Sequence, residues 1–188
     1  MNKIFTGLVC LFLLFSLTGC QIFNPSGSTS AEKKVNIDQD VDIALQKLYA
    51  STPKARALAK YAKGILVFPG LVKAGFIGGG QYGTGALRVN GRTRGYYNIA
   101  GLSYGLQAGV QSQDYAMFFM TQSALDYLNK SQGWELGFGP SIVVVDKGVA
   151  NSLTTTTAKS DVYAFINSQK GLMAGLGLNG IKITPIKP

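Results

Sequence analysis

Histidine is absent from this 188-residue chain, and with it go Ser-His-Asp and Cys-His nucleophiles and every histidine-based zinc site. Acid–base chemistry is left to nine carboxylates: Glu32, Asp38, Asp40, Asp42, Asp114, Asp126, Glu135, Asp146 and Asp161. None forms a close pair on an expected strand or helix away from a terminus. Asp38, Asp40 and Asp42 alternate like calcium-loop ligands, but no glycine follows in the turn and no glutamate closes the loop. Acids at a helix start, where they complement the dipole and cap free N–H groups, account for the three more simply. Gly78-Gly79-Gly80-Gln81-Tyr82-Gly83 satisfies G-x-G-x-x-G, the phosphate-cradling pattern. That loop needs a helix directly after it and an acid about twenty residues on. Thr84 to Val89 is strand-like instead, and Gly101 to Tyr104 offers no carboxylate. The expectation is a chain that is not an enzyme and uses no metal and no cofactor.

The residues that remain able to do chemistry are cations. Lysine and arginine number 18 against 9 acids, a net charge of +9 with a pI near 9.6, which points to an anionic partner. Arg88, Arg92 and Arg94 flank Asn90-Gly91, the strongest short hairpin signal, because both central positions of a type I′ turn need positive φ. Each guanidinium is a planar fork that can grip a phosphate with two bonds. Arg56, Lys60 and Lys63 fall on one narrow face of a helix expected at 53–63, and Lys73 precedes the hairpin's glycines. These seven are the candidate headgroup-binding residues; the same charges would also serve solubility alone.

The N-terminus indicates where such a partner would be met. Lys3 supplies a short positive region, and Ile4 to Leu17 is an apolar run too short to be comfortable as a permanent span, the pattern of an export signal. It ends in Leu17-Thr18-Gly19-Cys20, which resembles the lipobox of bacterial lipoproteins, where the cysteine sulfur takes a diacylglycerol and becomes the new N-terminus. Cys10 would be discarded with the signal and Cys20 acylated, leaving no thiol for a disulfide, a metal or catalysis. Gln21 after the cysteine, rather than Asp, resembles lipoproteins sorted to the outer membrane. Residues 1–19 are thus expected as a signal peptide, 20–36 as an acylated start and flexible tether, and 37–188 as a single domain in the cell envelope.

Patterning within 37–188 alternates between helix and strand periods. Helices are expected at about 38–50 and 53–63, the second opened by Thr52-Pro53 and closed by Gly64, and a third at about 122–129 capped by Thr121. Ile65 to Pro69 reads as a short strand. From Lys73 to Val110, one long hairpin places Gly79, Gly83 and Gly85 opposite Phe76, Tyr82 and Ala86, then Gly101, Ser103, Gly105 and Gly109 opposite Leu102, Tyr104 and Val110. Glycine weakens a strand interior, so a face made of it implies sharp coiling or the close approach of another backbone. Gln111 to Asp114 looks like a turn before a strand at 115–120. Alternation returns at 134–145, the four threonines Thr154 to Thr157 read as loop or edge strand, and Gly171, Gly175 and Gly177 repeat the glycine design. The expectation is an α+β, β-rich fold: a strongly curved antiparallel glycine-rich sheet or small barrel, covered by two or three short helices.

Three blocks resemble a known family. Ala62-Lys63-Gly64-Ile65-Leu66-Val67-Phe68-Pro69, then Lys73-Ala74-Gly75-Phe76 with Gly79-Gly80 and Tyr82-Gly83, and Lys170-Gly171-Leu172-Met173-Ala174-Gly175 with Leu178 and Gly180, are similar to the SYLF domain. The resemblance spans about Val41 to Ile183. It implies a non-catalytic lipid-surface binding module, since eukaryotic members bind phosphoinositides and membranes, fungal members bind and bundle actin, and bacterial members are envelope lipoproteins. Two classes of function follow. One is a lipid-anchored module that contacts anionic headgroups, and the other a scaffolding lipoprotein that docks a protein or polyanionic partner; nucleic acid is not expected for an exported chain.

Overall fold

Asn90 and Gly91 take φ of 52° and 74°, the two successive left-handed residues that a tight hairpin turn requires. They join β1 (Gly64–Val89) to β2 (Arg92–Phe119), the pair around which the fold is built. The computed structural model describes residues 29–130, 134–135, 139–145, 160–175 and 178–188. The expected signal, the expected acylation site Cys20 and the four threonines lie outside the described residues. Ahead of the hairpin come α1 (Ser30–Ser51) and α2 (Pro53–Ala59); after it come α3 (Gln122–Lys130), β3 (Trp134–Glu135), β4 (Ile142–Val145), β5 (Val162–Gly175) and β6 (Leu178–Ile186).

β2 is the spine of a six-stranded, strongly curled sheet. β1 pairs antiparallel along nearly its whole length. Its other edge is shared, with β6 against Tyr96–Tyr104 and β5 against Gln107–Phe119, both antiparallel. β3 adds to β6, and β4 joins β5 in parallel, so the sheet is mixed where the sequence suggests a purely antiparallel one. The α+β class with three helices stands.

Two expected breaks are not breaks. The strand at 65–69 runs on into the hairpin, and 111–114 is continuous strand rather than turn. What looks like punctuation is a pair of bulges. Pairing slips between Phe68 and Leu71, where Gly70 takes φ 59° and donates its N–H to Asp114 Oδ1 at 2.9 Å. It slips again between Ser112 and Asp114 on the β5 side. Pro69, unable to donate to a ladder, sits where the ladder is interrupted. Bulges add twist and bend the ribbon without ending it.

The glycines show where the bent ribbon meets itself. A Cβ on Gly83 would come within 3.0 Å of Leu71 Cδ1, and one on Gly85 would overlap the Val67 carbonyl oxygen. The second half of β1 therefore crosses its own first half, and only a residue without a side chain fits at the crossing. Inside the curl, Leu66, Phe68, Leu71, Leu87, Ile99, Met117 and Phe119 pack with Ala124, Leu125 and Leu128 of α3. Thr121 caps α3, its hydroxyl accepting from the Ala124 N–H at 3.3 Å. On the opposite face, Val67, Ala86, Ala116, Phe118 and Phe165 pack with Val41, Ala44 and Leu48 of α1 and with Ala55 and Leu58 of α2. Phe118 and Phe165 meet edge-to-face at 4.9 Å, an arrangement contributing about 0.5–1.5 kcal/mol beyond area.

α1 begins eight residues before its expected start at Asp38. Thr29 caps it by accepting the Glu32 N–H at 3.2 Å, in a Thr-x-x-Glu arrangement. Ser30 to Asn36 is consequently helix, not flexible tether. Asp38, Asp40 and Asp42, expected at the helix start, therefore stand in its middle turns, where they cap nothing.

Candidate functional site

Arg88 does not belong to an exposed cationic tip. One of its Nη2 bonds goes to Asp42 Oδ1 at 2.7 Å and another to the Asp38 carbonyl oxygen at 3.0 Å, while Nη1 lies 3.4 Å from Asp38 Oδ1 and also donates to the Thr93 hydroxyl. Its side chain is only 13% exposed. Thr93 Oγ1 donates to Asp38 Oδ1 at 2.7 Å and Tyr96 OH to Asp38 Oδ2 at 3.0 Å, so one carboxylate organises three residues of the hairpin. Asp38 and Asp42, one turn apart on α1, form with Arg88 a latch between helix and hairpin. The physical reason is register. Arg88 pairs with Thr93 on the face that α1 covers, Arg92 pairs with Val89 on the opposite face, and Arg94 occupies the slip beside Leu87 and Arg88. Three arginines flanking one turn therefore do not converge.

The other expected cations are scattered. Arg92, Arg94, Arg56, Lys60 and Lys63 are exposed. Arg56 lies 5.7 Å from the ring centre of Tyr49, a cation–π contact. α2 ends at Ala59, so Lys63 leaves the helix face it was expected to share, and its backbone N–H donates to the Phe119 carbonyl at 2.7 Å. Lys60 lines a small groove with Asp42, Tyr49, Arg88 and the Asn90-Gly91 turn. Lys73 lies elsewhere, inside the curl.

A different surface is more pronounced. Ribbon pairing sets Ala74, Val110 and Leu172 side by side on β1, β2 and β5, with Phe76 and Ala108 in the next row of the same face and Val72, Ser112 and Lys170 in the row before. α1 borders this face at the row of Ser112 and Lys170, sharing a groove with them through Asp40, Ile43 and Lys47, and the exposed rows lie beyond it. Phe76 is 76% exposed, Val110 60% and Leu172 89%. Beyond the bend, Ala100 of β2 pairs with Tyr82 on one side and Lys182 on the other, and Leu102 with Gly80 and Gly180; Leu102 is 78% exposed. Between the two sets, lined by Val72 and Ala74 on one side and Tyr82, Ala100 and Leu102 on the other, is an apolar depression of about 800 Å³. The bend itself is at Ile77, an exposed β-branched residue at φ 64°, a conformation such residues seldom take. Gly75 makes the bend possible, since a Cβ there would lie 2.6 Å from the Gly79 Cα. Glycine thus shapes the apex, and the apolar side chains interleaved with it face outward. Large contiguous apolar surface of this kind marks an interaction site, whereas scattered single exposed hydrophobics do not.

Sequence reasoning found these residues and their alternation but not their exposure, because alternation distinguishes two faces without saying which one a helix will cover. Among the described residues no group of three or more Cys, Asp and Glu side chains is placed to hold a metal, and no helix is long and apolar enough to cross a membrane.

The sequence model of the family described as Ysc84, Las17-binding protein actin regulator, matches residues 100–187, from the middle of β2 through β6. This segment contains the Lys170–Gly175 block with Leu178 and Gly180; the blocks at 62–69 and 73–83 precede it. No curated protein matches the chain.

Proposed function

With residues 100–187 assigned to the Ysc84 family, the SYLF domain that the sequence resembles, we propose that this is a non-catalytic lipid-binding domain of an envelope lipoprotein, docking on anionic bilayers through the glycine-shaped apex. One observation carries the reading: Phe76, Leu102, Val110 and Leu172 are exposed together at one end of the sheet, with Lys170 in the row of Val72 and Ser112 and Lys182 in the row of Tyr82 and Ala100, each next to one of theirs on the same face. Fully burying an aliphatic or aromatic side chain of this size contributes about 1.5–3 kcal/mol, and each basic residue near an anionic surface about 1 kcal/mol. Apolar contact therefore supplies most of the affinity and lysine the preference for charge. Arg92, Arg94, Arg56 and Lys60 add long-range attraction, and Arg88 belongs to the fold.

In the same reading, acylation of Cys20 holds the chain at a membrane, in the outer membrane of a Gram-negative host, with several acyl chains giving an anchor far firmer than the domain's own contacts. Cys20→Ser should leave the protein unprocessed or displaced in fractionated cells. The family's description names a protein partner, which gives the second reading, a scaffold docking protein on the same apex. Sedimentation of the unacylated domain with neutral and anionic vesicles separates the two. Lipid docking predicts anionic-selective binding that Phe76→Ser with Leu172→Ser weakens on the order of a hundredfold or more, with an unchanged melt. No sedimentation by the parent domain would remove the lipid reading and leave the scaffold.

A further inference from the structure

We propose that the interior of the curl is a second binding site, one that takes a single-chain amphiphile with an anionic head. A cavity of about 720 Å³ opens there, within the size range of small-molecule sites. Its floor is the top of the inner core, formed by Leu71, Ile99, Ile166, Ile181 and the ring of Tyr115. A phenol is neutral at pH 7 and burial pushes the Tyr115 pKa further up, to about 12, so none of these five floor side chains is charged.

The upper wall differs in kind. Gln81 from β1, Gln111 and Gln113 from β2 and Gln169 from β5 converge with Lys73 on one cavity. Gln169 Nε2 donates to Gln113 Oε1 at 3.4 Å; among the described residues the side-chain amides of Gln81 and Gln111 have no partner. Lys73 is the one cation among the described lining residues, and none of these is acidic. Side-chain amides donate readily to carboxylate or phosphate oxygens, and an ammonium fixes the sign of the head. Beneath them the uncharged floor has only apolar contact to offer, which suits a hydrocarbon chain. Polar wall over apolar floor therefore specifies an amphiphile.

Gln81 and Ile181 also line the apolar depression at the apex, so the two spaces adjoin. If the apex docks on a bilayer, an interpretation that rests on the function proposed above, the cavity lies beside the surface from which such a molecule would be drawn. Binding itself does not depend on that route.

The test uses the purified unacylated chain and two probes, laurate and lauroyl lysophosphatidate, each below its micelle concentration, with dodecyl maltoside as the uncharged control. Isothermal titration calorimetry should give one-to-one binding of at least one anionic probe and weaker binding of the maltoside. Which probe binds assigns the head as carboxylate or phosphate. Lys73→Met should weaken binding about tenfold or more, the loss of one charge-assisted contact. Gln113→Trp, which fills the cavity, should abolish binding, with its melt checking that the chain still folds. Both variants should sediment with vesicles as the parent does, whereas Phe76→Ser with Leu172→Ser should lose vesicles and keep the monomeric probe. The inference is overturned if neither anionic probe binds, if maltoside binds as tightly as they do, or if Lys73→Met binds like the parent.

Discussion

Replacing Arg88 by Met removes the guanidinium while keeping an unbranched apolar stem, which separates a latch from a surface charge. Four contacts are lost: the 2.7 Å bond to Asp42, the 3.0 Å bond to the Asp38 carbonyl, the 3.4 Å ion pair with the Asp38 carboxylate, and the bond to Thr93. Asp42 is 62% exposed and returns to water, so that pair contributes only about 0.2–1 kcal/mol. Asp38 keeps Thr93 and Tyr96 as donors and is not orphaned. The half-buried bonds to the carbonyl and to Asp38 involve a charged donor, worth about 1.5–3 kcal/mol together with their geometry. A total of about 2–3 kcal/mol corresponds to a melting temperature lower by about 4–12 °C in a chain of this length. Replacing Arg92 and Arg94 by Ser touches only exposed side chains and should cost less than about 0.5 kcal/mol each. Circular dichroism melts of both variants decide the matter. If Arg88→Met melts with the parent, or the Arg92 and Arg94 changes cost as much, the latch is not what joins α1 to the hairpin.

Two further outcomes follow from the same contacts. Gly85→Val should be far more damaging than Gly83→Val, because a Cβ on Gly85 meets the Val67 backbone whereas one on Gly83 meets the movable end of Leu71. A loss above about 3 kcal/mol is expected for Gly85 and about 1–3 kcal/mol for Gly83 in urea melts, and equal losses would contradict the crossing. Asp161 accepts from the Ser141 N–H at 3.0 Å, the Ser141 hydroxyl at 2.9 Å and the Thr121 hydroxyl at 3.2 Å. These bonds, the backbone one foremost, hold its carboxyl below the usual aspartate range against a smaller opposing effect of burial. A lowered folded-state value means its stabilisation is complete above the ordinary aspartate range and fades as pH falls through the folded value. Asp161→Asn should therefore cost about 1–2 kcal/mol at pH 7, with the gap to the parent narrowing in acid; a gap constant from pH 7 to pH 3 would contradict this.

Much of the fold was legible in local signals. Asn90-Gly91 marked the turn, Thr52-Pro53 and Thr121 marked helix starts, and the glycine face announced a close approach that Gly83 and Gly85 make. The misread features depend on long-range partners. Asp38 and Asp42 look like helix-start acids until Arg88, some fifty positions away, is placed beside them. Gln111 to Asp114 looks like a turn until Asp114 is seen bonding the Gly70 N–H across a bulge. The Thr29-x-x-Glu32 cap was readable and was obscured by the polar composition around it. For the candidate site, clustered charge in the sequence points to the hairpin tip, whereas apolar exposure at the apex depends on how far α1 extends over the sheet, which no local pattern records.

The central claim is that the apex enters the lipid surface. Trp134 is the chain's one tryptophan, so Trp134→Phe with Phe76→Trp gives a single reporter at the apex. Mixed with anionic vesicles whose lipids carry bromine along the acyl chain, this protein should lose fluorescence, most strongly with bromine near the headgroup end of the chain. A matching reporter at exposed Arg92 should not be quenched. Quenching at neither position, or equally at both, would contradict docking through Phe76, Leu102, Val110 and Leu172.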